Sequence, residues 1–150
     1  MGFYKVIAMV GHRGEGKFGD IGLYIVAESM TDAADQAKGF PGVKHRNSSA
    51  ILNAKPITEK EFVVGLLTTA YVNFDYHSKS EGIQTLSKIE SSITRVPAFT
   101  TIEGKMLRNF CNRYKATDNP KLKADIDKEF VAWANSQLED EYNNSDNFNR

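Results

Sequence analysis

Residues 11–27 read Gly11-His12-Arg13-Gly14-Glu15-Gly16-Lys17-Phe18-Gly19-Asp20-Ile21-Gly22-Leu23-Tyr24-Ile25-Val26-Ala27, and the residues after Lys17 settle between helix and strand. The spacing of Gly11, Gly16 and Lys17 is that of a phosphate-cradling loop as far as the lysine. Such a loop next needs a Ser or Thr hydroxyl for magnesium and a helix start whose free amides face the phosphates. Here Phe18 stands instead. Gly19 and Gly22 weaken a helix, and Leu23, Tyr24, Ile25 and Val26 form a dense run of strand formers. The stretch therefore reads as a basic glycine-rich hairpin loop feeding a strand, Ile21 to Ala27, and not as a nucleotide triphosphatase site.

Upstream, Phe3 to Val10 alternates as a first strand, with Tyr4, Val6, Ala8 and Val10 on one face and Phe3, Ile7 and Met9 on the other. Both faces carry apolar residues, so burial on both sides is expected. Downstream, Ser29 or Thr31 can cap a short helix, Asp32 to Lys38, whose Ala33, Ala34 and Ala37 suit close packing on a sheet. Gly39 and Pro41-Gly42 stop it. A third strand, Ser48 to Lys55, is expected to end at Pro56. Residues 1–57 thus form a ββαβ unit, and a helical crossover makes the third strand parallel to the second. Parallel strands begin at one end of a sheet. The glycine-rich loop and the second basic cluster, Lys44-His45-Arg46, are therefore expected at a common edge.

From residue 58 the period changes to that of helices. Thr58-Glu59-Lys60-Glu61 is a capping box, with Ile57 and Phe62 at staple spacing, and Phe62, Val63, Leu66, Leu67, Ala70 and Phe74 predict a helix to about Asp75. Ile83, Leu86, Ile89 or Glu90, and Ile93 predict another, closed by Pro97. Thr100-Thr101-Ile102-Glu103 repeats the capping signature before a stripe of Met106, Leu107, Phe110, Cys111 and Tyr114. Asn119-Pro120 opens a last helix with Leu122, Ile126, Phe130, Trp133 and Leu138 or Gln137 inward, paired with its predecessor as a hairpin. The fold class is α+β: a small ββαβ sheet with one crossover helix, then three to four helices over residues 58–138, packed on the sheet or forming a bundle. Residues 139–150, acidic and rich in Asn, read as a frayed tail.

The chain of 150 residues suits one domain, or two small units sharing a core. Lys plus Arg and Asp plus Glu each number 19, so only local patches can attract a polyanion. The single cysteine cannot pair within the chain, which fits a reducing cytoplasm. No signal-like or membrane-length apolar run is present in the sequence, and no ligand spacing calls for a metal or another cofactor.

No catalytic constellation emerges. Cys111 sits on an apolar stripe as a small core residue, and a zinc site built on His12 and His45 with Asp20 or Glu15 lacks close ligand spacing. The leading expectation is a non-catalytic protein that engages a phosphate-bearing partner, RNA or DNA above all. His12, Arg13, Lys17, Lys44, His45 and Arg46 would be the contacts. Lys105, Arg108 and Lys115 form a secondary basic face on the helix after Thr101, a kind of face that more often simply meets water. The strand order with basic loops resembles that of small RNA-binding units, a topological likeness over less than half of the chain. Two other classes compete. One is a protein-interaction module, an inhibitor or adaptor, using Phe74, Tyr76 or Phe99. The other is an enzyme on a phosphorylated small molecule with the glycine loop as cradle.

Overall fold

Alternate side chains of the first strand are claimed by two different cores. In the computed structural model, which describes residues 1–10, 19–40, 51–68, 71–72 and 83–148, β1 spans Gly2–Val10 and lies inside a sheet. Its neighbours are β2, Gly19–Ala27, and β3, Ile51–Ile57. A two-residue strand, β4 (Tyr71–Val72), extends the sheet beyond β2, giving the order β3-β1-β2-β4 with every neighbouring pair antiparallel. The strand predicted after Lys17 is therefore present, and the protein is α+β.

On one face of the sheet Val6, Ala8, Leu23, Ile25 and Ala27 are buried against Ala33 and Ala37 of α1, Met30–Lys38. Methyl side chains let that helix come close to the strands. Ser29 is its N-cap, accepting a bond from the Asp32 amide at 3.1 Å. On the other face Phe3, Tyr24, Val26 and Ile57 belong to a larger core with the later helices, and the Phe3 and Phe62 rings lie 4.7 Å apart. The sheet is thus the middle layer between α1 and the C-terminal helices.

Strand β3 does not end at Pro56, as its sequence suggests. Pro56 lies within it, opposite Tyr4. A proline lacks the ladder donor and is tolerated on an edge, and β3 is the edge of this sheet. A bulge at Leu52 shifts the register between Ile7↔Asn53 and Ala8↔Ile51.

Helix α2, Glu59–Leu66, starts with the expected capping box: Thr58 accepts from the Glu61 amide at 3.1 Å while Glu61 accepts from the Thr58 amide at 3.3 Å. It ends near residue 66 and not near Asp75. Tyr71 and Val72 pair with Ile21 and Asp20 of β2, and Thr68 bridges Ile83. Tyr71 and Val72, within the span predicted to be helical, thus belong to a strand, an example of sheet pairing overriding local period. Ile83 accordingly lies before α3, Leu86–Ile93, which Thr85 caps and whose Leu86, Ile89 and Ile93 are buried.

Helix α4 is Ile102–Lys115 and α5 is Pro120–Phe148. Leu107, Phe110 and Cys111 are buried, in keeping with the stripe, but Met106 is exposed. In α5, Ile126, Phe130 and Ala134 face the core while Leu122 is half exposed. Asn119 accepts from the amides of Lys121 and Leu122, leaving Pro120 at the first helical position. The two helices form the expected pair, with Phe110 set 5.6 Å from both Phe130 and Trp133. Helix α5 continues past Leu138 through the Asn-rich segment to Phe148.

Candidate functional site

The end of the sheet where β1 finishes is where β2 and β3 both begin. Val10 of β1 faces Gly19 on one side, and Ala8 faces Ile51 on the other. Because β2 and β3 each run antiparallel to the strand between them, they run parallel to one another. Residues 11–18 lead into the first of these starts and residues 41–50 into the second. His12, Arg13, Lys17, Lys44, His45 and Arg46 lie in these two segments, outside the described residues, as do Glu15, Phe74, Tyr76 and His77. What the described residues give is the anchorage: the bases of both segments flank the end of one strand.

The secondary basic face resolves into separate roles. Lys105 is exposed. Arg108 donates to the Val96 carbonyl at 2.5 Å and lies 5.1 Å over the Phe99 ring, tying α4 to the segment after α3. Lys115 pairs with Glu90 of α3 at 3.1 Å. Two of the three cations therefore hold helices together. Phe99 itself is 6% exposed and belongs to the core, so it offers no surface for a protein partner. Its ring packs on Gly104, where an added Cβ would fall 2.5 Å away.

Cys111 is buried among the helices. Burial, and then the negative charge of Glu90, push its thiol up to about 11, outweighing Arg108 and Lys115. A thiol at neutral pH is a poor nucleophile, so Cys111 serves packing.

A carboxylate far from α4 in sequence organises the start of that helix. The Thr100-to-Glu103 capping box does not form. The cap is Thr101, whose hydroxyl accepts from the Gly104 amide at 3.1 Å. Glu59, from the first turn of α2, accepts bonds from the Thr100 amide at 3.0 Å, the Thr101 amide at 2.6 Å and the Thr101 hydroxyl. Partial burial raises its pKa, but these donors prevail and hold the carboxyl below its ordinary value.

The described surface also contains a groove that pairs cations on the sheet. Lys5 of β1 stands directly opposite Lys55 of β3 and opposite Tyr24 of β2. All three line a cavity of about 260 Å³ walled by α2 and the far part of α5. Sequence reasoning misses Lys5, although a signal exists: a lysine between Phe3 and Ile7 on a strand face otherwise apolar. A second hollow, of about 440 Å³, lies at the α4–α5 turn beside Leu122, Ile126 and the Arg113–Glu129 ion pair. Among the described residues no helix is long and apolar enough to cross a membrane. No family model, curated protein or solved structure matches this chain.

Proposed function

We propose that this chain is a non-catalytic binding protein for a phosphate-bearing partner, nucleic acid foremost, working in a reducing compartment such as the cytoplasm. The observation that supports this reading is the common origin of β2 and β3 beside the end of β1, at Val10↔Gly19 and Ala8↔Ile51. The segments leading into those two starts hold Arg13 and Lys17, and Lys44 and Arg46, with His12 and His45 beside them. Cations tethered at one end of a rigid sheet can meet successive phosphates of one backbone, and each such contact releases condensed counterions. Backbone contacts of this kind position a nucleic acid without reading its sequence.

The competing readings have less to rest on. Phe99, one of three aromatics that would form a protein-binding surface, is in the core. For an enzyme acting on a phosphorylated small molecule with the glycine loop as cradle, the helix that should follow Lys17 is replaced by β2. The test is fluorescence anisotropy with labelled single-stranded RNA and duplex DNA against wild type and the R13A/K17A/K44A/R46A variant. Loss of binding with an unchanged melting temperature is expected. Retained affinity in the variant refutes the reading, and a protein band that co-purifies through nuclease and high salt favours the inhibitor or adaptor class instead.

A further inference from the structure

Lys55, Lys5 and Tyr24 form one row across β3, β1 and β2, on the sheet face turned toward the C-terminal helices. Like charges on directly paired residues cost a sheet stability unless an anion joins them. Among the described residues no ion pair involves either lysine. The Lys5 ammonium leans instead over the Tyr24 ring, 5.6 Å from its centre. That ring is fixed from behind, because it packs on Gly65 so closely that a Cβ there would lie 2.2 Å from it. Above the row is the cavity of about 260 Å³, with Thr68 and Glu141 also on its walls. Glu61 lines it too, its carboxylate accepting bonds from the amide and hydroxyl of Thr58 and keeping its charge.

We infer that this groove binds a small phosphorylated molecule, with the phosphoryl dianion between Lys5 and Lys55 and hydroxyl or amino groups of the same molecule toward Glu141 and Thr68. Two lysines can meet the oxygens of a phosphoryl group as compact point charges. A volume below the roughly 300–1,000 Å³ of drug-sized pockets suits a compact phosphomonoester. The site is separate from the strand-start end of the sheet, since Val10 lies about 17 Å further along β1.

Isothermal titration of the full chain with glycerol 3-phosphate and with inorganic phosphate tests this. Saturable binding of both is expected, and Lys5→Met and Lys55→Met, which keep the aliphatic stems, should each weaken it by about tenfold or more. Glu141→Gln should weaken glycerol 3-phosphate and spare inorganic phosphate. The R13A/K17A/K44A/R46A variant should titrate like wild type, so failure of nucleic-acid binding and failure of this site are read independently. Melting temperatures of the two methionine variants should equal or exceed that of wild type, because the repulsion is gone. No saturation by wild type, or unchanged affinity in both lysine variants, overturns the assignment; equal weakening of both titrants by Glu141→Gln overturns the proposed orientation.

Discussion

The carboxylate of Glu59 on α2 accepts bonds from both the amide and the hydroxyl of Thr101, the residue that caps α4, 42 positions further along the chain. One side chain thus does for a distant helix what a local Glu does in a capping box. It couples the entry of α2, directly after β3, to the entry of α4, and so joins sheet and helices through polar geometry as well as through the core.

Removing that link should be felt as stability. Glu59→Ala leaves the part-buried Thr101 amide without its acceptor and is expected to cost about 0.5–2 kcal/mol in denaturant unfolding, as loss of a helix cap does. Lys60→Ala, exposed on the same helix, should stay within about 0.5 kcal/mol. Equal effects would mean that the Glu59 bonds do not persist in solution.

The same pair has a pH signature. The folded-state pKa of Glu59 is depressed below its ordinary 4.5, so its contribution is fully present above that value and lost as pH falls through the lower, folded value. The difference in melting temperature between wild type and Glu59→Gln should therefore be steady above pH 4.5 and shrink below it. A gap that widens on acidification contradicts the assignment.

Gly65 sets two effects against each other. Alanine is a better helix former by about 1 kcal/mol, yet its Cβ would fall 2.2 Å from the Tyr24 ring. Overpacking of that kind typically costs about 1–3 kcal/mol, so Gly65→Ala should lower stability in wild type. In a Tyr24→Ala background the same change should be neutral or stabilising, and a double-mutant cycle by urea unfolding measures the difference.

The core on the helical side of the sheet should dominate the stability. Phe62 is fully buried beside Phe3, and Phe62→Ala should cost about 3–5 kcal/mol. Met106, which lies on the apolar stripe of α4 but is 40% exposed, should tolerate alanine within about 0.5 kcal/mol. Cys111 should react with a thiol reagent only on unfolding.

Local chemistry is well marked in the sequence. Phe18 after Lys17 argues against a helix, Ser29 and Thr58 announce helix starts, and the alternation of Phe3 to Val10 announces a strand with two buried faces. Features that depend on distant partners are not marked. Pro56 looks like a strand end because nothing in sequence says that β3 is an edge. Tyr71 and Val72 look helical until β2 supplies a ladder for them. The bonds from Glu59 of another helix to Thr100 and Thr101 leave no mark near α4 in sequence, and Phe99 looks exposed until Gly104 and Arg108 close over it. The Lys5–Lys55 pair is likewise a product of register: Lys5 stands out in sequence only as a charge on an otherwise apolar strand face, and nothing local sets Lys55 opposite it.

If the two basic segments act together on one phosphate backbone, at the end of the sheet where β2 and β3 begin, their contacts must add in the salt dependence of binding. The decisive quantity is the slope of log Kobs against log salt for a labelled single strand, measured for wild type, R13A/K17A, K44A/R46A and the combined variant. With about 0.7 of slope per phosphate contact, each pair should lower the slope by about 1.4 and the combined variant by about twice that. A slope that does not move in either pair, or that moves in one pair alone, contradicts joint action of the two segments.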